Sequence, residues 1–440
     1  MANTYLTRTP SSATNRKTFT ISTWVKRGTI GSSNQYIINA YSDANNFGAL
    51  YFDVSDVLVA KLKISSSVNT SLVTNRVFRD TSAWYHVVWK VDTTQSTESD
   101  RSKLYINGVE ETSFGGATYL SQNTDTAFNN TVQHTIGAIT TSNYFDGSMS
   151  HIHLIDGTAY DASAFGETDA NGVWKIKTSP SVTYGTNGFF ILKDGNSVTD
   201  QSGNGNNFTV AGGTLTNTED SPSNVFATMN PLINRIDAGT SYPATFSNGN
   251  NRVTFSDTNS FQSGVGTLGF SSGKWYWEAK VNVIGSDSNY LGILVSDYEQ
   301  TWYGTTNAPA YTYKTNGQKQ GPDSTSAAFG NSYTTNDIIQ IAVDMDNSYI
   351  YFGKNGTWQN SGDPTSGASG TGAAFNFTSG RVYMPHTYGY LGADVSTNFG
   401  NGYFGTTAVA SAGTNASGIG IFEYDVPTGY TALSTKGLNL

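Results

Sequence analysis

Hydrophobic and polar positions alternate along most of this chain with the period of a β-strand and seldom with that of a helix. "FTISTWVKR" (19–27), "GALYFDV" (48–54), "LVAKLKIS" (58–65), "WYHVVWKVD" (84–92) and "KLYING" (103–108) are short runs rich in β-branched and aromatic residues. Clusters of Ser, Thr, Asn, Gly and Asp separate them at the close intervals of antiparallel sandwiches. No stretch sustains a helical period. The longest helical candidate, "DASAFGETDANGVW" (161–174), is interrupted by Gly166 and Gly172 and predicts a structured loop.

One supersecondary phrase occurs twice. "WYHVVWKVD" leads to "KLYING", and "DIIQIAVDMD" (337–346) leads to "YIYFGKNG" (349–356). Each is a strand that reaches Val-Asp, a turn, a second strand and then Asn-Gly. Asn-Gly tolerates the positive φ angles of a two-residue hairpin, so Asn107-Gly108 and Asn355-Gly356 are expected to set register at equivalent places. Between the phrases, "GGTLTNTEDSPSNVFATMNPL" (212–232) carries Pro222 and Pro231 in a polar stretch, and strand patterning resumes only after it. The expected fold class is all-β: two tandem antiparallel β-sandwiches at residues 1–215 and 240–440, joined by an extended linker over 216–239.

Composition narrows the function. The 440 residues are 13% aromatic and 13% charged, with 47 Gly, as in a folded chain rich in turns. A net charge of -9 and a pI near 5.0 leave no basic stripe for a phosphate backbone and no attraction to an anionic bilayer. Nucleic acid is therefore not expected as a partner. Membrane insertion is not expected either, since no apolar run of about 18 residues occurs. The opening "MANTYLTRTPSSATNRK" lacks the apolar stretch of a secretory signal, so folding in a cytoplasm is expected. The absence of Cys removes disulfides, thiolate nucleophiles and cysteine-based zinc sites together.

Particular residues carry two family resemblances. "FTISTWVKR", "WYHVVW" (84–89), "LYINGVE" (104–110), "TIGA" (135–138), "YFDGSMSHIHLIDGTAY" (144–160) and "DQSGNGNNF" (200–208) resemble the laminin-G-like, concanavalin A-like jelly roll. The last of these usually opens such domains, whereas here it closes one, which implies a circularly permuted strand order or, as the alternative, an incomplete second jelly roll. "SSGKWYWEAKV" (271–281), "LGIL" (291–294), "DIIQIAVDMD", "IYFGKNGTW" (350–358) and "VSTNFG" (395–400) resemble the SPRY domain, a bent sandwich whose loops bind ligands. The pairing resembles virion proteins of tailed bacteriophages, marine ones among them. It implies a non-enzymatic structural component (decoration, head-fibre or tail-associated), assembled in the host cytoplasm. Its implied partners are other virion proteins and host-surface glycans, and a homo-oligomer is expected.

The candidate sites follow from both lines of reasoning. His151 and His153, two residues apart, would share one face of a strand and could reach a cation, but two imidazoles fall short of the four ligands of a closed site, so no metal is assigned. Calcium, which some laminin-G-like domains hold, remains without assigned ligands. A glycosidase on the jelly-roll scaffold would need two carboxyls about 5–5.5 Å apart, and no Glu-x-Asp-x-x-Glu run presents them. No catalytic residue is expected. The resemblance implies ligand-binding aromatics in the SPRY loops, at Trp302, Tyr303, Tyr311, Tyr313 and Trp358. In the first sandwich it implies Asn45, Asn46, Phe47 and Tyr144, where lectin-like jelly rolls hold sugars. A polysaccharide-degrading glycosidase and a subunit-to-subunit connector are the alternative functions.

Overall fold

The structure, a computed structural model, describes residues 3–65, 68–193, 197–237, 240–285, 289–296, 310–322 and 325–439. It separates into two units, Met1–Asn217 and Thr218–Leu440. Both are antiparallel sandwiches.

In the first unit, an eight-stranded sheet runs in the order Phe114–Thr118, Val68–Val77, Val57–Ile64, Asn46–Phe52, Gln35–Asp43, Gln133–Ile136, Tyr5–Arg8, Thr209–Gly212. The facing six-stranded sheet is ordered Phe189–Ile191, Gly147–Asp156, Thr18–Arg27, Trp84–Asp92, Ser102–Ile106, Val109–Glu111. Alternate residues of each strand turn inward, so Phe19, Ile21, Val87, Trp89, Leu104 and Leu154 meet Ile38, Leu50, Phe52, Leu62 and Leu72 in one core. The "DQSGNGNNF" stretch belongs to this unit and leads into Thr209–Gly212, which pairs with the N-terminal strand Tyr5–Arg8. Asp200 ties the stretch together: its carboxylate accepts from the backbone N–H groups of Phe190 (2.8 Å), Ser202 (2.9 Å) and Asn206 (2.9 Å).

In the second unit, Lys274–Val283 is flanked by Ile338–Asp344 and Ala393–Asn398 in one sheet, and Asn289–Val295 by Tyr383–Gly389 and Ala310–Lys314 in the other. Trp275, Trp277, Ile293, Tyr313, Ile341 and Val395 fill the space between them. One short parallel pairing, Trp275 and Tyr276 with Thr431 and Ala432, interrupts the antiparallel pattern.

The repeated phrase folds the same way in both units. Asn107 (φ 48°) and Gly108 (φ 82°) match Asn355 (φ 48°) and Gly356 (φ 84°), the positive pair of a type I′ turn. In each turn the Asn side chain accepts a backbone N–H from the neighbouring strand, His86 to Asn107 and Ile338 to Asn355, both at 2.8 Å.

The linker expected over 216–239 is largely absent. Phe226, Ala227 and Met229 are buried in the second unit, and Ala227 N–H donates to the Leu433 carbonyl at 2.9 Å. The polar surroundings and two prolines mask these three apolar residues in the sequence, yet their burial makes the segment part of the sandwich. The structured loop expected over 161–174 holds one 3₁₀ turn, Ala162–Ala164, and the start of a hairpin, Gly166–Thr168 with Trp174–Ile176.

Candidate functional site

Register, not sequence proximity, assembles the most distinctive surface of the first unit. Ile38, Leu50, Ala60 and Leu72 are paired neighbours pointing into the core, so the residues alternating with them share the outer face of the eight-stranded sheet. Three cross-strand rows result. The first is Tyr36, Tyr51, Val59 and Val73; the second is Thr7, Thr135, Asn39, Ala49, Lys61 and Ser71; the third is Gln133, Tyr41, Phe47 and Lys63. Adjacent rows are two residues apart along each strand, about 7 Å, except across the bulge in Gln35–Asp43, where Tyr36 and Asn39 are three apart. A bulge after Tyr36 inserts Ile37 into the core and turns Tyr36 out opposite Tyr51.

The Tyr36 and Tyr51 rings stack at 4.5 Å with an interplanar angle of 12°, and Tyr41 lies 6.1 Å from Phe47. Between these aromatic rows Ala49 and Asn39 form a floor that is itself fully buried, and Tyr36 is buried too, so Tyr41, Phe47, Tyr51, Lys61 and Lys63 are among the partly exposed members of the face. The Asn39 amide donates to the Ala138 carbonyl, while its Oδ1 has no hydrogen-bond partner among the described residues. Burial and the neighbouring Tyr51 push the Tyr36 hydroxyl up to about 12, and burial raises that of Tyr51, so both stay neutral donors.

The sequence candidates of this unit lie at two ends of the same face. Asn45 and Asn46 sit at the turn beyond the third row, where Asp43 accepts from the Asn45 N–H (2.7 Å) and the Asn46 side chain (3.0 Å). Phe47 is in the third row. Tyr144 lies beyond the first row: Tyr36 N–H donates to the Asn143 carbonyl (3.2 Å), and the Tyr144 ring meets Tyr5 at 5.9 Å. Seven residues of strand separate Tyr36 from Asp43, about 23 Å, so these candidates frame an extended face and not one pocket. Tyr36, Tyr41, Tyr51, Lys61 and Lys63 escaped the sequence reasoning. Their alternation is visible in "VAKLKI" and "ALYF", but only strand pairing shows that they adjoin.

The second unit corrects two expectations. Tyr311 and Tyr313 are not loop residues: strand Ala310–Lys314 buries both, Tyr311 among Phe375, Phe377 and Tyr383, and Tyr313 between Tyr333 and Phe352. Two residues apart, they share the inward face. Trp358 is partly buried, 6.5 Å from the Tyr276 ring, and follows the Asn-Gly turn as expected. Trp302 and Tyr303 lie outside the described residues.

The histidine pair is enclosed. A bulge interrupts pairing between Ser150 and His153 and gives His151 a positive φ of 49°, breaking the simple alternation assumed from the sequence. His153 stacks on Phe190 at 4.0 Å, and its Nδ1 bonds the Tyr184 hydroxyl at 2.9 Å. Among the described residues, no group of three His, Asp or Glu side chains could hold a metal ion. His86 is buried between Trp24 and Trp174: the Trp174 indole N–H donates to His86 Nδ1 (3.0 Å), which leaves the proton on Nε2 to donate to Ser22 (2.9 Å).

Buried carboxylates are engaged in structural contacts. Asp56 pairs with Arg27 (3.0 Å) and Arg79 (2.9 Å), Asp344 with Lys274 (2.9 Å), and Asp394 with Arg252 (2.9 Å). Glu110 and Glu111 face opposite ways, toward Lys103 and Arg76. Among the described residues Glu278 forms no ion pair: burial raises its carboxyl to about 7, although it accepts the N–H groups of Glu423 and Tyr424 (both 2.9 Å) and the Tyr276 hydroxyl.

Comparison with known proteins agrees with this architecture. Residues 2–162 match the family model of the concanavalin A-like lectin/glucanases superfamily (Laminin_G_3), and residues 274–401 match that of the SPRY domain. No curated protein matches the chain. Among solved structures, the SPRY domain of human HERC1 is 18% identical, with 38% of this chain and 96% of that one covered and a TM-score of 0.31. A human SPRY domain is 16% identical (33% and 90% covered, TM-score 0.24). A heptameric SAP-like pentraxin from Limulus polyphemus is 15% identical (36% and 72% covered, TM-score 0.26). The chain is a laminin-G-like jelly-roll domain followed by a SPRY-like domain, two families that are typically non-catalytic and suited to lectin or protein-interaction roles.

Proposed function

We propose that this chain is a non-enzymatic display protein whose first sandwich binds host-surface glycans on the outer face of its eight-stranded sheet, as a decoration, head-fibre or tail-associated component of a tailed bacteriophage. The observation that carries the glycan reading is the pair of aromatic rows, Tyr36 with Tyr51 and Tyr41 with Phe47, held about 13 Å apart by strand geometry. Aromatic rings offer flat apolar area to the C–H faces of sugar rings at little entropic cost. The Tyr41 and Tyr51 hydroxyls and the more exposed Ser71 and Gln133 side chains beside them supply donors and acceptors for hydroxyl groups. The platform needs no ordering on binding, because a hydrogen-bonded ladder already fixes it.

The virion setting rests on the resemblance of the paired domains in sequence. On a particle, other virion proteins would be the partners and a homo-oligomer would present several copies of the face, so weak single-site contacts would multiply if their spacing matches the host surface. A glycan array probed with cross-linked protein tests the binding. Signal that Tyr51→Ala and Phe47→Ala both remove supports the reading, and a blank array with and without calcium overturns it. Mass spectrometry of purified particles from an infected culture tests the setting, and absence of the chain from them would end that part of the proposal.

A further inference from the structure

We infer that the outer face of the first sandwich selects acidic glycans, carrying carboxylate or sulfate groups, over neutral ones. This rests on the glycan reading above and adds the charge of the ligand. In a chain of net charge -9, the charged side chains in the three rows are Lys61 and Lys63. They stand two residues apart on strand Val57–Ile64, about 7 Å from one another along the strand. Lys61 is the cross-strand neighbour of Ala49 on the floor, and Lys63 that of Phe47 in the aromatic row.

Several lysines elsewhere are engaged by carboxylates. Lys90 pairs with Asp161, Lys103 with Asp100 and Glu110, Lys175 with Asp169, Lys274 with Asp344, and Lys354 with Asp337. Among the described residues, neither Lys61 nor Lys63 forms an ion pair, and the Asp43 carboxylate feels Lys63 only at longer range while its hydrogen bonds come from Asn45 and Asn46. Both lysines are half-buried. Two unpaired cations bordering a sugar-sized aromatic platform complement a saccharide that carries anions on one side of its rings. The same pair is too sparse, on a chain this acidic, to hold a nucleic-acid backbone by charge alone.

The test uses the full chain and two matched probe pairs: oligogalacturonate with its methyl ester, and dextran sulfate with dextran. Titration calorimetry at low salt should give binding about five- to tenfold tighter for a charged member than for its neutral partner, the effect of two solvent-screened charge pairs, and 0.5 M NaCl should erase the difference. The double variant Lys61→Gln/Lys63→Gln should equalise the two members while leaving the circular dichroism spectrum unchanged. Equal binding of both members by the unaltered chain, or a preference that survives the double variant, overturns the charge inference and leaves the glycan reading standing. Failure of every probe, charged or neutral, sinks both. Binding of a single-stranded oligothymidylate as tight as that of the acidic sugars also overturns it, since the face would then attract any polyanion.

Discussion

Lowering the pH from 7.5 to 5.0 should loosen the first sandwich while leaving the second nearly unchanged. Of the buried histidines, those whose protonation the fold opposes are His86, His134 and His153 in the first unit and His386 in the second. Burial lowers all four, His86 and His386 to about 3 and His134 to about 4, with His153 well below its ordinary value. An imidazole in the unfolded chain takes its proton near pH 6.5, so between about pH 6.5 and the folded values the unfolded state binds more protons. The contribution is full above pH 6.5 and is lost as the pH falls. At pH 5.0 His86 and His134 have each cost about 2 kcal/mol and His153 adds to the loss in the same direction, so the first unit loses at least about 4 kcal/mol, a large share of the 5–15 kcal/mol of an ordinary domain. Carboxylates held low, such as Asp56 and Asp92, are ionised in both states at pH 5.0 and add little. In the second unit the roughly 2 kcal/mol lost at His386 is offset by Glu278. Its folded value near 7 exceeds the unfolded one, so its contribution is full below about pH 4.5, is lost as the pH rises through 7, and recovers about 2 kcal/mol on acidification. Hydrogen exchange of the intact chain, followed by mass spectrometry with intrinsic rates corrected for pH, resolves the two units. Protection in Thr18–Arg27 and Trp84–Asp92 should fall by several kcal/mol, while Lys274–Val283 and Ile338–Asp344 change by about 1 kcal/mol or less. Glu278→Gln should then expose the second unit's own loss. Equal losses in the two units, or none in the first, would refute the reasoning.

Two further expectations concern single contacts. A Cβ at Gly166 would overlap the Trp174 ring, so Gly166→Ala should destabilise the first unit by about 1–3 kcal/mol in a urea melt and, like Trp174→Ala, lift the hairpin from His86; a silent Gly166→Ala would show that Trp174 is not clamped there. Asn107→Ala and Asn355→Ala each remove the side-chain acceptor of a strand N–H and place Ala at positive φ, so both should cost about 1–2 kcal/mol by the same melt, and widely unequal costs would argue against equivalent turns.

The two turns also show what the sequence made legible. Asn-Gly needs no tertiary context to demand positive φ, and the strand before it announces itself by alternation, so both hairpins were readable residue by residue. The site was not. Lys61 and Phe47 are 14 positions apart in the chain, and they adjoin Tyr41 and Tyr51 only through the pairing register, which a bulge at Ile37 further shifts. Asn45, Asn46, Phe47 and Tyr144 were suggested by family resemblance, but their placement toward opposite ends of the Gln35–Asp43 strand was invisible. Tyr311 and Tyr313 failed for the opposite reason: a polar neighbourhood suggested a loop, while two residues of spacing sent both rings into the core.

The edge pairing of Tyr5–Arg8 with Thr209–Gly212 has a mechanical meaning. Because the two strands are antiparallel, the N-terminal end of one lies beside the C-terminal end of the other, with Tyr5 opposite Gly212. Tension applied along the chain therefore loads these bonds one after another, as in unzipping, instead of shearing them together. The Phe226 and Ser434 contact places the second unit's first and last segments in the same relation. Each sandwich is therefore loaded first at its own seam, where peeling draws out Leu6 in the first unit and Phe226 in the second, so that opening the seam also opens the core beneath it.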